Sequence, residues 1–191
     1  MKWTLFLFLI LAESITIQDW KQPYLELFES NPEYFSDGFD FPVGPPNAKK
    51  YYNAQSFGKN NHLGDDWNGT GGGNTDLGDP IYSIANGYVT ATKNHGPGWG
   101  NVIRIVHYIK EKDKVVESLY AHCDEILIKK HSWIRRGQQI GTIGNANGAY
   151  WAHLHLELRT KVDLDLGGGY SQETTGYTDP SKFINTNRPN K

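Results

Sequence analysis

The stretch AHLHLELR, residues 152–159, constrains the fold more than any other part of the sequence. Its polar and apolar residues alternate, with His153, His155, Glu157 and Arg159 on one side and Leu154, Leu156 and Leu158 on the other. A period of two is typical of a half-buried β-strand, which here would present two imidazoles side by side. Such a pair can bind one metal ion, or one ring can bind it while the other transfers protons. The alternative is a solvated polar face.

Length and composition favour one globular domain with extensions. A chain of 191 residues can bury a core, and 21 glycines, 9 prolines and 13% aromatic residues are typical of a turn-rich β protein. A formal net charge of −2 argues against nucleic acids or anionic membranes as partners. The single cysteine, Cys123, excludes an internal disulfide framework, so stability must come from packing, with a bound metal as a further source.

Residues 1–14 have the pattern of a secretory signal peptide. Lys2 precedes a short apolar run at 3–12, and small residues at 12–14 offer a cleavage site. The run is too short to span a bilayer, so we expect a secreted or periplasmic protein without stable membrane insertion after cleavage. A buried N-terminal strand and an uncleaved anchor are the alternatives.

Residues 15–40 form a lead in which acidic side chains outnumber the one lysine. The spacing of its apolar residues predicts one short amphipathic helix, formed by Trp20, Tyr24, Leu25, Leu27 and Phe28. Two roles agree with this pattern. The lead either shields a metal site until it is removed or displaced, or packs its aromatic side chains on the domain.

A second group of candidate ligands lies in the segment HLGDD, residues 62–66. His62 and Asp66 are four residues apart, and Gly64 between them allows backbone conformations that bring two side chains onto one ion. Two histidines with one carboxylate are a catalytic zinc set that leaves one coordination position open. Asp65 competes with Asp66, but on a strand only Asp66 shares a face with His62, so we predict Asp66. The alternative is a polar turn.

Short apolar runs separated by glycine-rich turns predict an antiparallel β protein. Residues 81–90 predict a hairpin in which Asn86 and Gly87 form the tight turn. Further strands are predicted at 102–108, 115–122, 126–128, 133–134 and 139–144. Strands at this spacing indicate the all-β class, with an antiparallel β-sandwich or open-barrel core and irregular N- and C-terminal extensions.

The remaining histidines divide into one candidate and three others. His122 ends a predicted strand and shares a face with Tyr120. The others, which we predict to be structural or exposed, are His95, His107 and His131. The thiol of Cys123 would point to the opposite face from His122, which argues against a Cys–His nucleophilic pair and predicts a small buried side chain.

Three motifs in this order resemble those of the lysostaphin/LytM-type zinc metallopeptidases, peptidase family M23. They are HLGDD at 62–66, YAH at 120–122 and HLHLELR at 153–159. The segments between them at 78–89, 98–107, 136–141 and 144–148 are similar as well. The resemblance implies a peptidase domain at 41–160 with a C-terminal tail, 161–191, packed on it.

The resemblance also implies a role for five side chains. His62, Asp66 and His155 would bind one zinc ion per chain, and His122 and His153 would be catalytic histidines that do not bind it. Zinc lowers the pKa of a bound water towards about 7 and polarises the scissile carbonyl. One free imidazole can then transfer protons while the other hydrogen-bonds the oxyanion.

The implied activity is a zinc endopeptidase that cleaves peptides of bacterial peptidoglycan. The alternatives are a catalytically silent scaffold of the same fold that activates a cell-wall amidase, and a β module with a purely structural zinc. Tyr150 and Trp151 depart from the small residues usual in the family and would crowd one wall of the cleft. Glu157 either orients an imidazole or is an exposed strand carboxylate.

Overall fold

Eight of the ten strands form one antiparallel sheet in the computed structural model, which describes residues 20–189. The strands are β1 Tyr51–Gln55, β2 Asp65–Gly69, β3 Pro80–Tyr82, β4 Gly87–Asn94, β5 Asn101–Ile109, β6 Lys114–Cys123, β7 Trp133–Ile134, β8 Gln139–Thr142, β9 Leu154–Arg159 and β10 Tyr177–Thr178. The sheet order is β1-β2-β9-β6-β5-β4-β7, β10 pairs with the end of β9, and β3 pairs with β8 in a small second sheet. The predicted all-β class is confirmed.

Two short α-helices flank the strands, α1 at Gln22–Glu29 and α2 at Pro180–Thr186. The Asp179 side chain caps α2 by accepting a hydrogen bond from the Lys182 backbone nitrogen at 2.8 Å. Within residues 20–189, neither helix has the length and apolar character that a membrane crossing requires. The predicted signal peptide, residues 1–14, lies outside the described residues.

Strand β9 is buried on both faces. Its three leucines are fully buried in the main core, which also contains Ile81 of β3 and Ile140 of β8, so the small sheet packs on the large one. The opposite face, with Glu157 and Arg159, is equally inaccessible. The prediction of a half-buried strand was wrong in this respect, because a later segment of the chain covers the polar face.

The predicted hairpin at 81–90 does not form. Strand β3 pairs with β8, whereas β4 pairs with β5 and β7. The Asn86 side chain instead joins distant segments, since it donates to the Phe35 carbonyl at 2.9 Å and accepts from the Arg136 amide at 2.8 Å. Tertiary hydrogen bonds therefore override the local turn signal. The predicted strand at 126–128 is likewise reduced to one isolated bridge.

The described part of the lead, residues 20–40, packs against β5 and β7. Phe28 of α1 is fully buried, and its ring lies 5.9 Å from that of Tyr108 and 5.1 Å from that of Trp133. The predicted helix is confirmed at Gln22–Glu29, but Trp20 lies before its first residue. No residue of 20–40 lines the cleft described below, so these contacts agree with a packing role rather than with a shield.

We expect Phe28→Ala to lower the free energy of unfolding by about 3–5 kcal/mol, because truncating a fully buried aromatic ring leaves a cavity. Urea unfolding followed by circular dichroism measures the change. Tyr52→Ala is a matched control, since Tyr52 is 49% exposed and should cost far less. Equal effects of the two substitutions would mean that α1 is not part of the folded unit.

Candidate metal centre

The three predicted ligands converge where β2 and β9 pair. Asp66 and His155 are direct cross-strand partners, so their side chains lie on the same face of the sheet. His62 lies outside both strands, directly after the short 3₁₀ turn Lys59–Asn61, and its ring contacts His155 and Asp66. Among residues 20–189 this is the one group of three histidine, cysteine or acidic side chains whose ligand atoms come together in this way.

The separations of the three ligand atoms fit a tetrahedral cation site. His155 Nδ1 lies 2.9 Å from Asp66 Oδ1 and 3.1 Å from His62 Nε2, and His62 Nε2 lies 3.3 Å from Asp66 Oδ1. Ligands about 2.0–2.2 Å from zinc are roughly 3.3 Å apart in a tetrahedron. Two ring nitrogens and one carboxylate oxygen therefore form one triangular face, and the fourth position points away from them.

The outer nitrogen of each ligand histidine has an acceptor. His62 Nδ1 lies 3.2 Å from the Gln55 carbonyl, and His155 Nε2 lies 3.2 Å from Glu157 Oε1. Because a carbonyl or carboxylate only accepts, these nitrogens carry the protons. The inner nitrogens face Asp66 and share protons with it here, and in a metal-bound state they would offer their lone pairs to the ion instead.

The electrostatics of the group favour a positive charge at its centre. Burial raises the pKa of Asp66, but hydrogen bonds from His155 and His62 outweigh it and hold that pKa well below the usual range. Burial lowers the pKa of His155, yet its bonds to Asp66 and Glu157 raise it to about 9. Both shifts have one origin, because the carboxylates of Asp66 and Glu157 stabilise positive charge between them. A proton or a metal ion can carry that charge.

Two further imidazoles flank the group without joining it. The His122 and His153 ring centroids are 4.7 Å apart, and His122 lies 5.6 Å from the His155 ring. Each directs Nδ1 to a backbone carbonyl, His122 to Trp99 at 3.3 Å and His153 to Trp151 at 2.8 Å. Their Nε2 atoms are therefore the basic nitrogens. His153 Nε2 lies 3.9 Å from Asp66 Oδ1, at the edge of the ligand group.

His122 is held in a backbone conformation that few residues adopt. Its φ is +62°, in the left-handed region. The neighbouring Gly144 makes this turn possible, because a Cβ there would lie 2.2 Å from the His122 carbonyl oxygen. Burial, together with the nearby His155 and His153, lowers the pKa of His122 to about 3, so the ring is neutral at pH 7.

Asp65 and Glu157 have roles that differ from each other and from Asp66. Asp65 points away from the ligands and accepts hydrogen bonds from the Phe57 and Ser181 backbone nitrogens, each at 3.0 Å, which anchors α2. Glu157 is fully buried and contacts His155, so the alternative of an exposed strand carboxylate was wrong.

The other histidines lie apart from this group. His107 is fully buried between the Asn86 carbonyl and the Ser118 hydroxyl, whereas His95 and His131 are exposed. Burial lowers the pKa of His107 to about 4, which keeps it neutral. Cys123 is buried, as predicted.

The ligand group lies in a cleft with two hollows of about 650 and 610 Å³. Gln55, Asp66, Tyr150 and His153 line both hollows, so Tyr150 stands where they meet. Trp151, which is 70% exposed, lines the first hollow. No lysine or arginine is among the described residues that line either one.

One wall of the second hollow comes from the tail, which sequence reasoning left without a role. Gly167, Gly168, Gly169 and Tyr170 line it. The Gly169 carbonyl accepts from the Leu63 backbone nitrogen at 2.9 Å, and Tyr170 forms a β-bridge with His62. The only sequence feature that marks this wall is the run of three glycines at 167–169, and such a run is also found in ordinary loops.

Gly64 is required by close packing rather than by an unusual backbone conformation. A Cβ at Gly64 would lie 2.5 Å from the Leu156 carbonyl oxygen and 2.9 Å from His155 Cε1. We expect Gly64→Ala to cost about 1–3 kcal/mol of stability and to weaken zinc binding, because the His155 ring must move.

Urea unfolding and zinc titration measure both effects of the Gly64 substitution. Gly168→Ala is the control, since nothing lies within 4 Å of a Cβ at that position and its backbone is unstrained. Wild-type zinc affinity in Gly64→Ala would contradict the close approach of β2 to His155.

The comparisons with known proteins match the same part of the chain. A sequence model of peptidase family M23 matches residues 66–166, a range that includes four of the five site histidine and aspartate residues and begins just after His62. A solved zinc-containing peptidase from Vibrio cholerae superposes with a TM-score of 0.52 at 25% identity, covering 74% of this chain and 39% of that one.

Two curated relatives carry different descriptions. The peptidoglycan DD-endopeptidase ShyA of Vibrio cholerae is 38% identical over 82 residues, 43% of this chain and 18% of that protein. The murein hydrolase activator NlpD of Escherichia coli is 36% identical over 84 residues, 44% of this chain and 21% of that protein. The match thus spans about a fifth of either relative. From the family match and the shared fold, this chain belongs to peptidase family M23.

Proposed function

We propose that this chain is a zinc-dependent endopeptidase that hydrolyses peptide bonds in bacterial peptidoglycan. The observation that carries the proposal is the triangle of His62, Asp66 and His155 ligand atoms beside two non-ligand imidazoles. Zinc bound there would polarise the scissile carbonyl and lower the pKa of an attacking water. One zinc per chain would occupy the site.

The two flanking histidines supply the proton transfers. Their Nε2 atoms are basic because Nδ1 of each is bonded to a backbone carbonyl. One of the pair, His122 or His153, takes the proton of the attacking water and passes it to the leaving amine. The other can donate a hydrogen bond to the carbonyl oxygen as negative charge develops on it, which requires that ring to be an imidazolium with a proton on Nε2.

The lining of the cleft supports cleavage within a peptide rather than at its carboxyl end. Carboxypeptidases commonly use a cationic side chain to bind the terminal carboxylate of the substrate, because charge-assisted hydrogen bonds are strong. The described lining of both hollows lacks lysine and arginine. A cleft that extends to both sides of Asp66 and His153 suits a chain that continues past the scissile bond.

A second candidate is a scaffold that activates a cell-wall amidase, which the similarity to an activator favours. The complete set of five residues supports hydrolysis instead. Substrate and compartment agree, because peptidoglycan lies outside the cytoplasmic membrane. We accordingly propose a periplasmic or secreted protein whose partner is the peptidoglycan peptide.

Mass spectrometry of products released from defined, cross-linked peptidoglycan tests the proposal. We expect new amino and carboxyl termini within the peptides when the purified chain is incubated alone, loss of these products after chelation, and recovery on adding zinc. The opposite result would be that products appear only when an amidase is present and that the sugar chains have lost their peptides at the lactyl group. That result would support the activator and contradict the endopeptidase.

A further inference from the structure

A chain of buried charges begins at the ligand His155 and runs along the polar face of β9. Its first link is the contact of His155 Nε2 with Glu157 Oε1 at 3.2 Å. The second is the bond from Arg159 Nε to Glu157 Oε2 at 2.8 Å. Both Glu157 and Arg159 have no exposed surface. Burying charged groups is costly unless each is paired. The burial of Glu157 and Arg159 therefore has to be offset by further charged partners or be retained for a function.

The charges continue across the neighbouring strands. Arg159 Nη1 lies 3.8 Å from Glu117 Oε1 on β6. Arg104 on β5 in turn donates to the same oxygen from Nε at 2.9 Å and from Nη2 at 2.6 Å. The negative charges of Glu117 and Glu157 balance the positive charges of Arg104 and Arg159. The network therefore supplies Glu157 with a counter-charge, so that Glu157 can stay ionised while it accepts the hydrogen bond of His155.

The same arginines hold the tail that forms the cleft wall. The Leu164 carbonyl accepts from Arg159 Nη1 at 2.8 Å and from Arg104 Nη2 at 3.0 Å. Three residues later, the Gly167 carbonyl accepts from Trp99 Nε1 at 3.0 Å. The wall, residues 164–170, is thus fixed at one end by Arg159 and at the other by its contacts next to His62.

We propose that Glu157 is a positioning residue for His155, and that Arg159 ties this carboxylate to the cleft wall, residues 164–170. The inference rests on the proposed function for the identity of the metal, but its geometry does not. With its Nε2 proton bound by Glu157, the His155 ring must present Nδ1 towards Asp66 and His62. A purely structural ion cluster would instead hold the tail on the sheet without affecting the ring.

Glu157→Gln separates these roles. A carboxamide has one acceptor oxygen, whereas His155 and Arg159 each present a donor to Glu157, so one contact must break. We expect zinc affinity to fall about 10- to 100-fold, as is typical when a partner of a ligand histidine is removed. Competition with a chelator of known affinity measures it. Glu125→Gln, an exposed carboxylate, is the matched control and should bind zinc as the wild type does.

A second readout does not require metal. Imidazole ¹⁵N spectra of the zinc-free protein report which nitrogen of each histidine is protonated. We expect the His155 Nε2 proton to be present and slow to exchange with solvent in the wild type, where Glu157 accepts it, and to exchange faster or be lost in Glu157→Gln. Unchanged proton exchange with unchanged zinc affinity in a folded variant would overturn the inference. A wild type that binds no zinc would instead overturn the proposed function, and the spectra would remain interpretable.

Arg159→Lys tests the link to the wall and keeps the inference testable if Glu157→Gln does not fold. Lysine retains the charge, but its single ammonium group lacks the fork that reaches both Glu157 and the Leu164 carbonyl. We expect weaker zinc binding together with a severalfold rise in KM, because the wall shifts. Wild-type values for both quantities would contradict the coupling.

Discussion

His155→Ala should reduce bound zinc from one ion per chain to none and abolish hydrolysis. His155 Nδ1 is the shared vertex of the ligand triangle, 2.9 Å from Asp66 Oδ1 and 3.1 Å from His62 Nε2. Without it two ligands remain, fewer than the three protein ligands of catalytic zinc sites. Elemental analysis of dialysed protein measures the zinc content directly.

The same substitution has a structural cost that must be separated from the loss of metal. Removing the ring leaves a buried Glu157 oxygen without its donor, at a cost of about 1–3 kcal/mol. Circular dichroism and urea unfolding of zinc-free protein quantify this. His131→Ala, which removes an exposed histidine, should keep one zinc. Full zinc in His155→Ala would mean that the cation binds elsewhere.

His122→Ala and His153→Ala should have the opposite signature, with zinc retained and turnover largely lost. Neither side chain belongs to the ligand triangle, but the His122 ring lies 5.6 Å from the His155 ring and His153 Nε2 lies 3.9 Å from Asp66 Oδ1. Removing a group that transfers protons typically costs about 10²- to 10⁴-fold in rate. Steady-state cleavage of a cross-linked muropeptide, with zinc content measured on the same samples, gives both quantities.

The double variant refines this result. If the two histidines act on the same transition state, the double substitution should cost less than the product of the two single effects. Activity within twofold of the wild type in either single variant would assign that histidine a structural role. Loss of zinc in either would show that it helps to hold the metal.

The sequence predicted which candidate ligands come together better than it predicted their surroundings. The alternation at 152–159 correctly predicted the strand at Leu154–Arg159, and His153 lies just before it and lines the same cleft as His155. The preference for Asp66 over Asp65 also agrees with the structure, because a strand places alternate residues on opposite faces. These inferences needed only local periodicity, which a strand preserves in any fold.

The parts that were missed depend on contacts between distant segments. Glu157 is polar and was therefore considered as exposed, but the tail near Leu164 covers it. Asn86 and Gly87 carry a strong turn signal, yet Asn86 is bonded to Phe35 and Arg136 instead. Neither partner is marked by any local pattern, so only the folded chain reveals them.

The left-handed backbone of His122 implies a conflict between durability and activity. A residue with a Cβ pays roughly 1–2 kcal/mol for this conformation, and glycine or asparagine would pay less. Selection for a robust fold alone would thus drift away from histidine here. If His122 takes part in hydrolysis as proposed, stability at this position has been exchanged for chemistry, as is common for strained active-site residues.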